Sequence, residues 1–279
     1  WLANQPAFTT HIPGVVNRLS APFLTTEVQQ VKEKIASASN EGRSGELIAV
    51  NTVFLPDQAF LRASPYHLDN WLRDSFMTSL AINDPVVEQH LLGNFTRENH
   101  RYPQLPTNRL FASNREWYFD DESTMLGLVW RAKLADMGVN LGSSEKGIWQ
   151  DRLGWVQQNS QDGLYVTPKG TERSWFDTFD FPQPDVLAYN QGIYAVSLLS
   201  ADRLGLNIQP GQVQEAISGY NKLSHPSGRL QFSQRYDYKD VSSLFGEYLG
   251  VTQFGQSLLG TDTVLATVAT FDEDKNGYK

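Results

Sequence analysis

Ser174-Trp175-Phe176-Asp177-Thr178 is the stretch on which the reading of this chain turns. It sets one carboxyl group among large aromatic rings, just ahead of an apolar segment with helical period. Apolar walls favour the neutral form of a carboxyl, so such an aspartate can be kept as a proton donor near neutral pH. The rings beside it offer flat faces for stacking on the C–H face of a pyranose. Gly163-Leu164-Tyr165 precedes the stretch, and Tyr189-Asn190-Gln191-Gly192-Ile193-Tyr194 follows it. Upstream, Trp71-Leu72-Arg73-Asp74-Ser75-Phe76 repeats the theme with an adjacent Arg–Asp pair.

Outward from these clusters, helical period dominates. Val28, Val31 and Ile35 form a stripe that Thr25-Thr26 can cap. Leu72, Phe76, Met77 and Leu80 mark a second helix, and Val86, Val87, Leu91 and Phe95 a third opened by Pro85. Met125, Leu128, Val129 and Ala132 give a fourth. Trp149, Leu153 and Val156 give a fifth, started by Ser143-Ser144. Later stripes run through Leu187, Tyr194 and Leu198; Val213, Ile217 and Tyr220; Val241, Leu244, Phe245 and Tyr248; and Val264, Leu265 and Val268. Strand signals are short: Glu46–Val50 pairs with Val53-Phe54-Leu55, and Gly163–Val166 fits a hairpin arm. The expected fold is all-α, one domain over residues 1–279, with helical hairpins around an axis and short β-hairpins in the loops. A plain bundle or an α-solenoid would give a similar pattern.

Composition narrows the function classes. The chain has 279 residues and a formal net charge of −8, which argues against a nucleic-acid partner. No apolar run approaches a membrane span. With no cysteine, disulfide and thiolate chemistry are excluded, while the compartment, cytoplasmic or secreted, stays open. No cofactor motif and no complete metal-binding motif is seen. Asp272-Glu273-Asp274-Lys275-Asn276-Gly277 has the opening of a calcium loop without its closing Glu, and reads as a solvated acidic turn. Asn94-Phe95-Thr96 is a glycosylation sequon inside an expected helix.

Four segments in order resemble the (α/α)6-toroid glycoside hydrolases, especially the amylo-α-1,6-glucosidase part of glycogen-debranching enzymes. Glucoamylases and the processing α-glucosidases of the N-glycan pathway are more distantly similar. The segments are Trp71-Leu72-Arg73-Asp74-Ser75-Phe76, Tyr118-Phe119-Asp120-Asp121-Glu122-Ser123-Thr124, Ser174-Trp175-Phe176-Asp177-Thr178 and Tyr189-Asn190-Gln191-Gly192-Ile193-Tyr194. The resemblance extends from near residue 45 to near residue 260.

The resemblance implies an inverting, exo-acting enzyme on α-linked glucose, with a carbohydrate as its partner. It places the general acid on Asp177, which fits the W-x-D spacing where Asp180 does not. It places terminal-sugar binding on Arg73 and Asp74, whose fork of donors and acceptors suits vicinal hydroxyls. Trp71, Tyr118, Asp120, Asp121, Trp175 and Gln191 are the further substrate-binding candidates. Each has an ordinary alternative: an ion pair at a helix start for Arg73 and Asp74, a helix cap for Asp177, and a favourable dipole position for the acidic run at 120–122. The family takes its base from a late carboxylate, and Glu247 is the late candidate in an aromatic setting. The helix count and the ending after Asp272 predict a toroid short of its last helices. A catalytically inactive carbohydrate-binding relative is the competing reading. A terpenoid-type enzyme using Asp120-Asp121 on magnesium is a third, disfavoured because no second metal motif is evident.

Overall fold

The computed structural model describes residues 24–39, 52–54, 58–61, 69–96, 104–110, 115–169, 183–236 and 240–273. Helices dominate these residues, with short antiparallel strands between them, so the fold is all-α with small β-hairpins. The chain divides into two compact units, residues 1–123 with 134–140 and residues 124–133 with 141–279.

In the first unit, α1 (Thr26–Ser39) buries Val28, Val31 and Ile35, the stripe the sequence predicts. The Val28 amide donates to Thr25 Oγ1 at 3.4 Å, a side-chain cap. α2 (Leu72–Ser79) is followed by α3 (Pro85–Thr96), which packs against both α1 and α2. Pro85 opens α3 as expected. The cap ahead of it is Asp84, whose Oδ1 accepts from the amides of Val86 at 3.0 Å and Val87 at 3.2 Å.

β1 (Thr52–Phe54) pairs antiparallel with β2 (Ala59–Leu61), Val53 opposite Phe60. The sequence offered Glu46–Val50 as the partner; that segment lies outside the described residues. Ala59, Phe60 and Leu61 are all buried, and a strand buried on both faces lacks the alternation that would reveal it. Ala59 is further held by α3. Its N–H donates to His90 Nε2 at 2.8 Å, and its carbonyl accepts from Asn94 Nδ2 at 2.6 Å. His90 and Asn94 stand four residues apart, so one helix face serves both backbone groups. The sequon's Asn94 is thereby a fully buried core residue.

β3 (Asp69–Trp71), β4 (Leu105–Leu110) and β5 (Arg115–Asp120) form a sheet that the sequence reading did not contain. Both pairings are antiparallel, with Trp71 opposite Asn108 and Asn108 opposite Trp117. β5 runs into α4 (Asp121–Asp136), buried from Asp121 through Leu134. That wrap-round burial is wider than the single stripe at Met125, Leu128, Val129 and Ala132.

In the second unit, α5 (Ser143–Gln157) buries Trp149, Leu153 and Val156. Its N-cap is Gly142 rather than Ser143 or Ser144, with no side-chain cap bond. β6 (Ser160–Gln161) and β7 (Leu164–Tyr165) form a hairpin around Asp162 and Gly163, at φ 51° and 77°. Two consecutive positive φ values define the tight turn that Asp-Gly favours. α6 (Ala188–Arg203) is buried nearly all round and packs against α7 (Gln212–Asn221) and α8 (Phe245–Phe254). The stripe from Val241 to Tyr248 is not one helix. A 3₁₀ turn at Val241–Leu244, opened by Asp240 accepting from the Ser242 amide at 3.0 Å, precedes α8. α9 (Thr261–Glu273) leaves Leu265 and Val268 exposed and buries Thr267 instead. Asp272 and Glu273 belong to the α9 backbone, and residues 274–277 of the acidic run lie outside the described residues.

Candidate active site

Two strand-to-helix junctions in the first unit carry most of the sequence-predicted site. β3 and β5 flank β4 and run the same way, because each is antiparallel to it. Each leads directly into a helix: Trp71 ends β3 and Leu72 begins α2, while Asp120 ends β5 and Asp121 begins α4. The sheet thus delivers two helix N-termini to one end. Acidic groups suit such ends, where unpaired amide N–H groups carry partial positive charge. Asp74 stands in the first turn of α2, and Asp121 and Glu122 in the first turn of α4.

A charged contact joins the junctions. Arg73 Nη1 donates to both carboxylate oxygens of Glu122, at 3.3 and 3.4 Å. The Glu122 side chain is 3% exposed and that of Arg73 14%, so the pair is largely out of water. Partial burial strengthens such a contact and makes each partner costly to remove alone. Glu122 is the functional candidate the sequence reading passed over. It was visible only as one of three acids before a helix, and its partner lies 49 residues upstream.

The α2 junction is itself braced. Asn70 on β3 is buried, and its Oδ1 accepts from Ser75 Oγ at 2.5 Å. Ser75 also donates to the Leu61 carbonyl at 3.3 Å, tying α2 to β2. Trp71, Arg73 and Asp74 remain half-buried around this brace. Tyr118 and Asp120 lie on the β5 backbone leading to the second junction, and Asp121 is buried there. Trp175 and Asp177 lie outside the described residues.

The second unit places the other two candidates differently. Gln191 is fully buried on α6, and backbone groups take up its amide. Its Oε1 accepts from the Tyr165 amide at 2.7 Å, and its Nε2 donates to the carbonyls of Gly163 and Ala216, each at 2.9 Å. That is a clamp holding the β6–β7 hairpin against α7, in place of the sugar-facing amide expected from sequence.

Glu247 on α8 is likewise committed. One oxygen accepts from Ser257 Oγ at 2.6 Å, the other from the amides of Leu258 at 2.7 Å and Leu259 at 2.9 Å. Three donors occupy a carboxylate with roughly four acceptor positions. Glu247 thus pins the connection between α8 and α9. Nearby, Tyr220 donates to the Ser243 carbonyl. Burial, and then the Glu247 charge, push its hydroxyl above the ordinary tyrosine range.

Among the described residues no group of His, Asp or Glu is arranged to hold a metal ion, and no helix is long and apolar enough to cross a membrane.

No family model matches the chain, and no curated protein matches it in sequence. Solved structures do match in fold. A glycosidase carrying a glutamate-to-alanine substitution, in complex with glucose, aligns with a TM-score of 0.56 at 16% identity, over 90% of this chain and 71% of the other. A second glutamate-to-alanine glycosidase variant gives the same values. A phenylalanine-to-tyrosine variant gives 0.53 at 15% identity over the same shares. At such identities the likeness is one of fold, and this chain has the fold of those glycosidases.

Proposed function

We propose that the protein is a glycoside hydrolase, inverting and exo-acting on α-linked glucose in oligo- or polysaccharides. Asp177 is the general acid. Trp71, Arg73 and Asp74 bind the terminal sugar, and Tyr118, Asp120, Asp121 and Trp175 are the further sugar-binding residues. The observation that carries this reading is the pairing of two motifs with one place. The Trp71–Phe76 and Tyr118–Thr124 segments, named from sequence as sugar-binding, end up at neighbouring helix starts joined by Arg73 and Glu122. The glycosidase fold of the neighbours, one of them holding glucose, supports the substrate class.

The chemistry needs two carboxyl groups. The acid protonates the departing oxygen, and in an inverting enzyme a base about 6.5–9.5 Å away activates water on the far face of the sugar. Glu247 is left out of that role here, because three donors from its own surroundings already hold its carboxylate.

Hydrolysis of a panel of α- and β-glucosides, with the product anomer followed by NMR, tests the reading. Release of β-glucose from α-glucosides is expected. Asp177→Asn should cut turnover by about 10²–10⁴-fold while glucose binding stays measurable by calorimetry. Glucose binding without any turnover by the unaltered protein would favour the inactive carbohydrate-binding alternative. Neither binding nor turnover would overturn both.

A further inference from the structure

His90 on α3 is buried, and both of its ring nitrogens are bonded. Nε2 accepts from the Ala59 amide at 2.8 Å, so that nitrogen carries no proton. Nδ1 lies 2.7 Å from Glu27 Oε1 on α1. An ionised carboxylate can only accept, so Nδ1 carries the ring's proton. β2 from one side and α1 from the other thus fix one neutral tautomer.

A second proton would have to sit on Nε2 and point at the Ala59 N–H. Both groups would then be donors, and their hydrogen bond cannot survive. The Nδ1 contact does survive, and becomes an ion pair with Glu27, whose side chain is 55% exposed. Charged positions on the elements packed against α3 are Glu27, Lys32, Glu33 and Lys34 of α1, Arg73 and Asp74 of α2, and Arg109 of β4, while β2 has none. Lys34 pairs with Asp84, Lys32 lies over the Phe54 ring and Arg73 binds Glu122. On α3 itself Glu88 stands two positions back, on the opposite side of the helix.

The Ala59 bond holds more than one residue. Ala59 begins β2, and Leu61 at its other end accepts from Ser75 of α2 at 3.3 Å. Asn94 grips the Ala59 carbonyl with an amide that does not titrate, so β2 stays tethered when its N–H is let go.

We propose that His90 is a proton-operated latch on β2. The neutral ring holds the Ala59 amide; the protonated ring releases it and keeps Glu27. Through Leu61 and Ser75 the release loosens the start of α2, which carries Arg73 and Asp74, so acid weakens sugar binding there. That second step rests on the function proposed above. The released state binds one more proton than the latched state, so release grows as pH falls, by up to about tenfold per pH unit below the ordinary histidine value of about 6.5.

Amide hydrogen exchange of the whole chain tests the latch, followed at Ala59 by NMR from about pH 7.5 to about pH 5.5, a window above the ordinary carboxylate range. Corrected for the intrinsic pH dependence of exchange, protection at Ala59 should fall by about tenfold. His90→Gln offers the same amide an oxygen that does not titrate, and should hold its protection constant. Constant protection in the unaltered protein, or the same fall in the variant, would overturn the latch. Should the variant not fold, the ring-nitrogen chemical shifts of His90 in the unaltered protein decide. Nε2 must pass from bare to protonated with the midpoint at which Ala59 loses protection, and a different midpoint would equally overturn it. Glucose affinity, measured by calorimetry, should weaken over the same window in the unaltered protein and not in His90→Gln. Affinity indifferent to pH while Ala59 opens would overturn the step to α2. Absence of glucose binding at every pH would count against the sugar reading alone, with Ala59 exchange still deciding the latch.

Discussion

Gly192 of α6 and Gly246 of α8 meet backbone to backbone. A Cβ built on Gly246 would fall onto the Gly192 main chain, and one built on Gly192 would lie 3.0 Å from the Gly246 Cα and 3.0 Å from the Tyr220 ring. The two helices approach this closely only because neither side carries a side chain there. Gly246→Ala should therefore destabilise the fold by about 1–3 kcal/mol, overpacking outweighing the better helix propensity of alanine. Gly154, in α5, has nothing within 4 Å of a built Cβ, so Gly154→Ala should stabilise by about 0.5–1 kcal/mol. Urea unfolding midpoints of the two variants should move in opposite directions.

Arg73 and Glu122 should act as a unit. Glu122→Gln keeps shape and loses charge, so a charge-assisted contact worth about 1.5–3 kcal/mol weakens. Glucose affinity, measured by calorimetry, should fall in parallel if Arg73 holds the sugar as proposed. Unchanged stability in that variant would mean the pair is not an energetic link between the two junctions.

Gln191→Ala should damage stability rather than chemistry. It strands the buried Tyr165 amide and two carbonyls, each at a cost of about 1–3 kcal/mol. A large drop in unfolding midpoint with near-normal KM for the folded fraction is expected. A raised KM at full stability would restore the sugar-binding role assigned to Gln191 from sequence.

The acid limb of the stability curve should depend on Asp84. Partial burial acts to raise its carboxyl, but the Lys34 hydrogen bond at 2.5 Å, the Val87 and Val86 amides and the Lys34 charge outweigh it and hold the group below the ordinary carboxylate range. A depressed carboxylate contributes stability above its unfolded pKa, about 3.9, and loses it as pH falls through the lower folded value. Asp84→Asn keeps a capping oxygen and removes that titration. Its unfolding midpoint should be lower than that of the unaltered protein at pH 6, with the difference shrinking as both are measured toward pH 3.

Helices were legible in this sequence because their signals are local. Val28, Val31 and Ile35 fall on one face by spacing alone, and Pro85 marks a start by its missing N–H. The sheet was not legible. Asp69–Trp71 is three residues long, and its partners at Asn108 and beyond are set by pairing across more than thirty positions. Period also names a helix without naming what covers it, so the stripes at Val241, Tyr248, Leu265 and Val268 turned out to face water. Of the candidate site, Trp71, Arg73, Asp74 and Asp121 were named by motif, and the structure puts them at the two strand-to-helix junctions. Gln191 could not be told from a ligand-facing amide, because its partners are backbone atoms 25 to 28 residues away.

The three-stranded sheet also acts as a ruler. Because α2 and α4 both start where β3 and β5 stop, the spacing of their acidic ends is set by strand register, which changes only in whole residues. A single insertion within β4 or β5 would shift one helix start by about 3.4 Å along the strand and turn the intervening side chains to the opposite face. Register shifts make the distance between Arg73 and Glu122 jump, so point substitution is the gradual route to retuning that contact.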